Sequence, residues 1–232
     1  MSALGTGQEI MIAPLHRKKE WFCDPMSSEL TRRSFMRGLA SSMVAPAGAV
    51  TGLPVGAYAA AALSLPALVA LLTEDAAADA KSIPLRLHNT NTGDKLAIDL
   101  FVGSNWNPTG LVQADYMLRD FRQNLVVQND RRLYAALYVL QRAFVGDGYV
   151  KVNSGYRTSA TNEMLRRTGV GAARESFHTK ARAVDYLIPN PNATLSEIAR
   201  VAKGFHIGAV ALYNNFIHMD TGDPDRSWGM KY

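Results

Sequence analysis

The chain has 232 residues, 47% of them hydrophobic and 19% charged, an ordinary globular composition that predicts one compact domain with a tail. Residues 81–232 carry 19 Lys and Arg against 13 Asp and Glu, a basic balance that suits a polyanion such as nucleic acid, anionic lipid or an acidic wall polymer. The basic residues form no long run and no nucleic-acid motif is present, which argues against a nucleic-acid partner; the single cysteine, Cys23, excludes an internal disulfide or a cysteine zinc site.

Residues 31–37 read TRRSFMR and precede an Ala- and Gly-rich apolar run with no charge until Glu74. Arg32, Arg33, Phe35 and Arg37 stand in the order of a bacterial twin-arginine export signal, which this stretch resembles. Such a signal implies the twin-arginine export machinery as a partner and a folded passenger in the periplasm or cell envelope. Small-x-small sites at Ala57–Ala59 and Ala78–Ala80 offer two places for cleavage. Left uncleaved, the run could anchor the protein in the membrane, although Pro46, Pro54 and Pro66 weaken a straight spanning helix. Residues 1–80 are therefore assigned to export and 81–232 to the working domain.

In that domain, IPLRLHN and KLAIDLF flank the turn-like TNTGD, which predicts a β-hairpin. GLVQADYMLRDFR has helical spacing. NDRRLYAALYVLQRAF is a clearer helix, with Leu133, Leu137, Leu140 and Phe144 on one face and Asn129 or Asp130 placed to cap it. GDGYVKVNSGYR reads as a turn and a short strand ending at Arg157, and SATNEMLRRTG as a short helix closed by Gly169. A loop then carries His178, a strand runs through AVDYLI, and TLSEIARVAKGF forms a helix whose Thr194 and Glu197 fit a capping box. IGAVALY and NFIHMD are the last strands. Helices between short strands predict an α+β domain with a small, mainly antiparallel sheet.

Histidine is scarce, five residues in all, and two of them fall at suggestive positions. His178 and Asp185 are seven residues apart, roughly 10 Å along a helix and further along a strand, so they can share one ion only if His178 sits on a loop folded back over the strand of Asp185. Alternation in AVDYLI puts Asp185 opposite Val184 and Tyr186. In NFIHMD, Ile217 and Met219 alternate with His218 and Asp220. Two imidazoles and a carboxylate would leave a fourth tetrahedral position for water, as a catalytic zinc requires. The plainer alternative is a pair of hydrogen-bonded buried histidines.

SGYRTSATNEMLR, ARESFHTKARAVDYLIP and NFIHMDTG, followed by Arg226 and Trp228, resemble in order and spacing the zinc D-alanyl-D-alanine peptidases and murein endopeptidases, whose metal fold is shared with lysostaphin-type enzymes and hedgehog domains. The likeness covers residues 83–232 and is nearest to the exported branch that often carries twin-arginine signals; LRLHNTNTGDKL and the helix with LRDFR look like that branch's opening. It implies that His178, Asp185 and His218 bind Zn2+ and that the substrate is peptidoglycan. Arg157 then matches the family arginine that steadies an oxyanion or a substrate carboxylate; a surface ion pair is its plainer role. Asp220 would orient a zinc histidine or act as the general base. Ser176 fits a support for the metal loop better than a nucleophile.

There are departures. Many relatives carry a glutamate base three residues before the last histidine, where this chain has Asn215, and a glycine three after the first, where it has Ala181. HIGAVALYNN lacks the paired glycines and Tyr-Pro of the nearest branch, and DTGDPDRSW is one residue longer before its arginine. His206 is read as structural or exposed. The expected activity is a zinc metallopeptidase of D,D-carboxypeptidase or murein endopeptidase type. A catalytically silent zinc-containing wall-binding module and a hydrolase of some non-murein peptide are the alternatives.

Overall fold

The computed structural model describes residues 84–103, 105–169, 171–226 and 228–229. The twin-arginine stretch, both candidate cleavage sites and the proposed boundary at residue 80 lie outside the described residues. Among those described, no helix is long and apolar enough to cross a membrane.

The predicted hairpin is present as β1 (Leu85–Asn89) and β2 (Lys95–Ile98). Its turn closes because Asn89 Oδ1 accepts from the backbone N–H groups of Asn91 and Thr92, and Gly93 takes a positive φ of 79° that its missing side chain permits. A two-residue pair, β3 (Phe101–Val102) and β4 (Asn105–Trp106), leads into helix α1 (Pro108–Met117), capped by Asn107.

The apolar periodicity predicts α1 through Arg122, but the helix stops at Met117. The reason is competition for its backbone. Leu118 O accepts from Tyr156 N at 2.7 Å, and the Asp120 carboxylate collects the N–H groups of Arg122 and Gln123, so the chain turns instead of continuing the ladder.

Helix α2 (Arg131–Phe144) starts at Asp130, whose side chain accepts from Arg132 N at 3.1 Å. The sequence marks one apolar face, yet Tyr134, Ala135, Ala136, Tyr138, Val139 and Gln141 are buried as well, because the helix runs through the middle of the core rather than along its surface. After β5 (Val150–Ser154) come α3 (Ser159–Arg167), a 3-10 turn (Phe177–Lys180), β6 (Ala183–Leu187), α4 (Leu195–Gly204), β7 (Val210–Leu212) and β8 (Ile217–Asp220). The Thr194–Glu197 capping box of α4 forms in both directions, and Gly169 follows α3 with φ of 74°.

Among the described residues, six strands make one sheet in the order β2-β1-β5-β6-β8-β7. All pairs are antiparallel except β1 with β5, as the long crossover through α1 and α2 requires. The domain is thus α+β with a mainly antiparallel sheet, as expected. Val152, Val184, Tyr186, Ile217 and Met219 belong to the main apolar core, together with the buried residues of α2 and α4. Asp185 and His218, alternating with these, project from the other side of the sheet.

Candidate metal centre

Cross-strand register builds the site. Asp185 pairs with Ser154 on β5 and with His218 on β8, so three polar side chains form one row across three neighbouring strands. The β5–β6 register shifts between Val152 and Ser154, and β5 ends at Ser154, before Arg157 instead of at it. Arg157 N turns to donate to His178 O at 3.1 Å.

His178 comes to this row on the 3-10 turn. Ser176 caps it, its Oγ accepting from His178 N at 3.3 Å. Ala181 ends it in the left-handed region, with φ of 55° and ψ of 38°, and its carbonyl accepts from Asp130 N. The left-handed backbone explains why a glycine suits this position. Alanine tolerates it at a cost of roughly 1–2 kcal/mol.

The ligand atoms of His178, Asp185 and His218 all lie within 4.8 Å of one another, and all three residues are buried. His178 Nδ1 donates to Gly155 O at 2.7 Å, which leaves Nε2 with its lone pair facing Asp185 Oδ1 at 3.3 Å. His218 Nδ1 stands 2.8 Å from that same oxygen, while its Nε2 lies 3.3 Å from Asp220 Oδ2. The second oxygen of Asp185 accepts from Arg157 Nη2 at 2.7 Å, and Arg157 Nε donates to Ser154 Oγ at 2.8 Å.

Electrostatics follow from this packing. Burial lowers the His178 pKa despite the opposing charge of Asp185. Burial opposes charge on His218 too, but hydrogen bonds to Asp185 and Asp220 outweigh it and raise the pKa to about 9. A neutral imidazole lone pair pressed on a carboxylate oxygen is unfavourable without a cation between them. A set of two nitrogens and one oxygen, each oriented by an outer partner, is the donor chemistry zinc takes.

Asp220 is enclosed. Its Oδ1 accepts from Ala209 N at 3.2 Å, Gly222 N at 2.8 Å and Arg226 Nη2 at 2.5 Å, and the side chain is 1% exposed. Burial raises its pKa, but the bonds from His218, Gly222 and Arg226 prevail and lower it. Arg157 is part-buried beside Asp185, its side chain 14% exposed, so its ion pair is largely internal and not a surface one.

A wall stands beside the cluster. The Trp228 ring lies 5.4 Å from that of His218, and its Nε1 donates to Tyr213 OH at 3.0 Å. Tyr213 stacks on Phe216 at 4.5 Å, and the Arg226 guanidinium lies 4.4 Å from the Phe177 ring centre. Asn215 is exposed in the turn between β7 and β8, and His206 is exposed with φ of 52°.

The site therefore gathers every candidate ligand, with Arg157 and Asp220 on either side. The roles of the Gly155 carbonyl, Ser154 and Tyr213 were not anticipated from sequence. Gly155 and Ser154 fall inside the SGYR motif, but which backbone atom faces the histidine depends on the fold.

Residues 76–228 match the family described as "Peptidoglycan L,D-endopeptidase MepK". The chain belongs to that family. Among curated members of the MepK family, the "Probable peptidoglycan L,D-endopeptidase MepK" of Haemophilus influenzae is 35% identical over 147 residues, which is 62% of this chain and 77% of the relative. The "Peptidoglycan L,D-endopeptidase MepK" of Escherichia coli strain K12 is 36% identical over 146 residues, covering 62% of this chain and 79% of that protein. No solved structure gives a significant match.

Proposed function

We propose that this chain is a zinc-dependent endopeptidase that cleaves peptide bonds of peptidoglycan in the cell envelope. The observation that carries the reading is the convergence of His178, Asp185 and His218 in a chain of the MepK family. Of the two activities expected from sequence, carboxypeptidase and endopeptidase, the second agrees with relatives named as L,D-endopeptidases, and an L,D bond is the proposed target.

His178 Nε2, His218 Nδ1 and Asp185 Oδ1 would hold the ion. Zinc bound there supplies Lewis acidity toward a peptide carbonyl and activates water near neutral pH. The protein's own groups do the rest. Gly155 O fixes the His178 tautomer, Arg157 holds Asp185 and places a part-buried cation where negative charge would develop on the substrate, and the Trp228 ring forms a wall beside His218. Asp220 fits the positioning of His218 better than proton transfer: a fully bonded carboxylate with lowered pKa is a weak base.

The enclosure of Asp220 and the exposure of Asn215 on its turn also favour one second reading, a zinc-bearing wall-binding module without catalysis. Incubation of the purified protein with peptidoglycan, followed by mass spectrometry of released fragments, separates the two. Fragments absent from a His218→Ala control support the enzyme, and their masses name the bond. Bound zinc with no fragments supports the module.

The twin-arginine resemblance of residues 31–37 supports export through that machinery. A fusion of residues 1–80 to a reporter that needs the twin-arginine route checks it, with loss of export on Arg32→Lys, Arg33→Lys substitution as the expected outcome.

A further inference from the structure

The LRDFR run follows α1, and its second arginine, Arg122, is not among the groups of the metal centre. Asp120 and Leu125 exchange both backbone hydrogen bonds, at 3.0 and 3.1 Å, closing a turn over residues 121–124. The buried Asp120 carboxylate fixes that turn to the site: Oδ1 accepts from Arg122 N at 3.1 Å and Gln123 N at 3.3 Å, and Oδ2 accepts from Thr158 N at 2.8 Å. With Leu118 O taking Tyr156 N at 2.7 Å, the turn is clamped to the residues on both sides of Arg157.

Its two arginines have different fates. Arg119 is buried and spent on Asn124 Oδ1, Tyr116 O and Asp94 Oδ2. Arg122 is exposed, its guanidinium resting 4.3 Å from the Phe121 ring centre, and among the described residues no carboxylate forms an ion pair with it. The bonds of Leu118 O to Tyr156 N and of Asp120 Oδ2 to Thr158 N place its turn alongside the segment that carries Arg157. Asp185 cannot serve both, since its two oxygens are taken by Arg157 and the histidines. A turn fixed to the Arg157 segment that presents an exposed guanidinium with no carboxylate of its own among the described residues is arranged for an incoming anion.

We infer that Arg122 binds a free carboxylate of the substrate peptide on the Arg157 side of the metal centre and thereby selects peptides that carry one. The inference rests on the endopeptidase reading and deepens it. The planar fork of arginine matches a carboxylate bidentately, which lysine cannot do.

The test uses zinc-loaded full-length protein, purified soluble peptidoglycan fragments, and the same fragments with their carboxylates converted to amides. On native fragments, Arg122→Ala is expected to raise KM roughly ten- to a hundredfold, the range of a charge-assisted hydrogen bond, while kcat is held; Arg122→Lys recovers part of the loss. On amidated fragments the wild type and Arg122→Ala should behave alike. Equal losses on both substrates, a fall in kcat alone, or no change overturns the inference. Calorimetric binding of both fragment sets keeps the two readings apart. If the wild type cleaves neither set, the endopeptidase reading fails, and Arg122 is still judged: weaker binding of native fragments by Arg122→Ala upholds its role, and equal binding removes it. Thermal melting of the variants should match the wild type, because the turn is held through the Arg122 backbone N–H.

Discussion

Gly155→Ala should damage both stability and metal affinity. A Cβ at this position would stand 2.3 Å from Leu118 O, 2.7 Å from Leu118 Cα and 2.8 Å from Leu118 C. These are backbone atoms tied down by the Tyr156 N to Leu118 O bond, so the methyl group is accommodated only by separating the two segments. Overpacking costs about 1–3 kcal/mol and a weakened hydrogen bond about 1 kcal/mol more, giving a loss of about 2–4 kcal/mol. At roughly 3 °C per kcal/mol for a domain of this size, the melting temperature should fall by roughly 6–12 °C. The same movement displaces Gly155 O, the acceptor for His178 Nδ1. Loss of such an outer partner lowers zinc affinity by roughly 10–100-fold, so the rise in melting temperature on adding zinc shrinks as well. Differential scanning calorimetry with and without zinc measures both effects. Gly204→Ala is the control, since an added methyl there meets nothing within 4 Å. A Gly155→Ala protein that melts like the wild type and gains as much from zinc would refute the reasoning.

Three further outcomes are expected. Asp220→Asn should weaken zinc binding by roughly 10–100-fold and regain most of its turnover at saturating zinc; unchanged zinc affinity with abolished turnover would instead make Asp220 the base. Ala181→Gly relieves the left-handed backbone but frees the unfolded chain, and the balance should be a gain of about 0.5–1 kcal/mol, read by thermal melting. Burial raises the Asp130 pKa, but hydrogen bonds from Arg132 and Thr221 prevail and lower it. Its contribution is therefore complete above the ordinary aspartate range near pH 4 and is lost as pH falls through the lower folded value. Asp130→Asn should flatten the acid limb of the stability curve below about pH 4, measured by urea denaturation at stepped pH; an identical acid limb would count against it.

Local patterns were legible wherever neighbours in sequence decide the structure. The hairpin follows from the TNTGD turn with its Asn91 and Gly93, α2 from its leucine spacing and a cap at Asn129 or Asp130, and α4 from the Thr194–Glu197 box. The candidate ligands were legible for a related reason: alternation fixes the side of the sheet for Asp185 and His218, and cross-strand register then aligns them. The early end of α1, the register shift within β5 and the parallel β1–β5 pair are not legible. The first depends on the bonds of residues 118 and 120 to 156 and 158, and the third on the path of a crossover. The same long-range contacts bring Arg122 to the site and turn the Gly155 carbonyl toward His178. The sequence leaves Asp220 two roles because its enclosure by Ala209, Gly222 and Arg226 is a property of the folded loop.

The central claim is that His178, Asp185 and His218 hold the catalytic zinc. X-ray absorption at the zinc edge of the purified, zinc-loaded protein, with metal content measured on the same sample, tests it most directly. One zinc per chain with two imidazole nitrogens and oxygen ligands around it, lost in His218→Ala, is the expected result. An ion surrounded by oxygen alone, or a His218→Ala protein that keeps the same zinc environment, would contradict it.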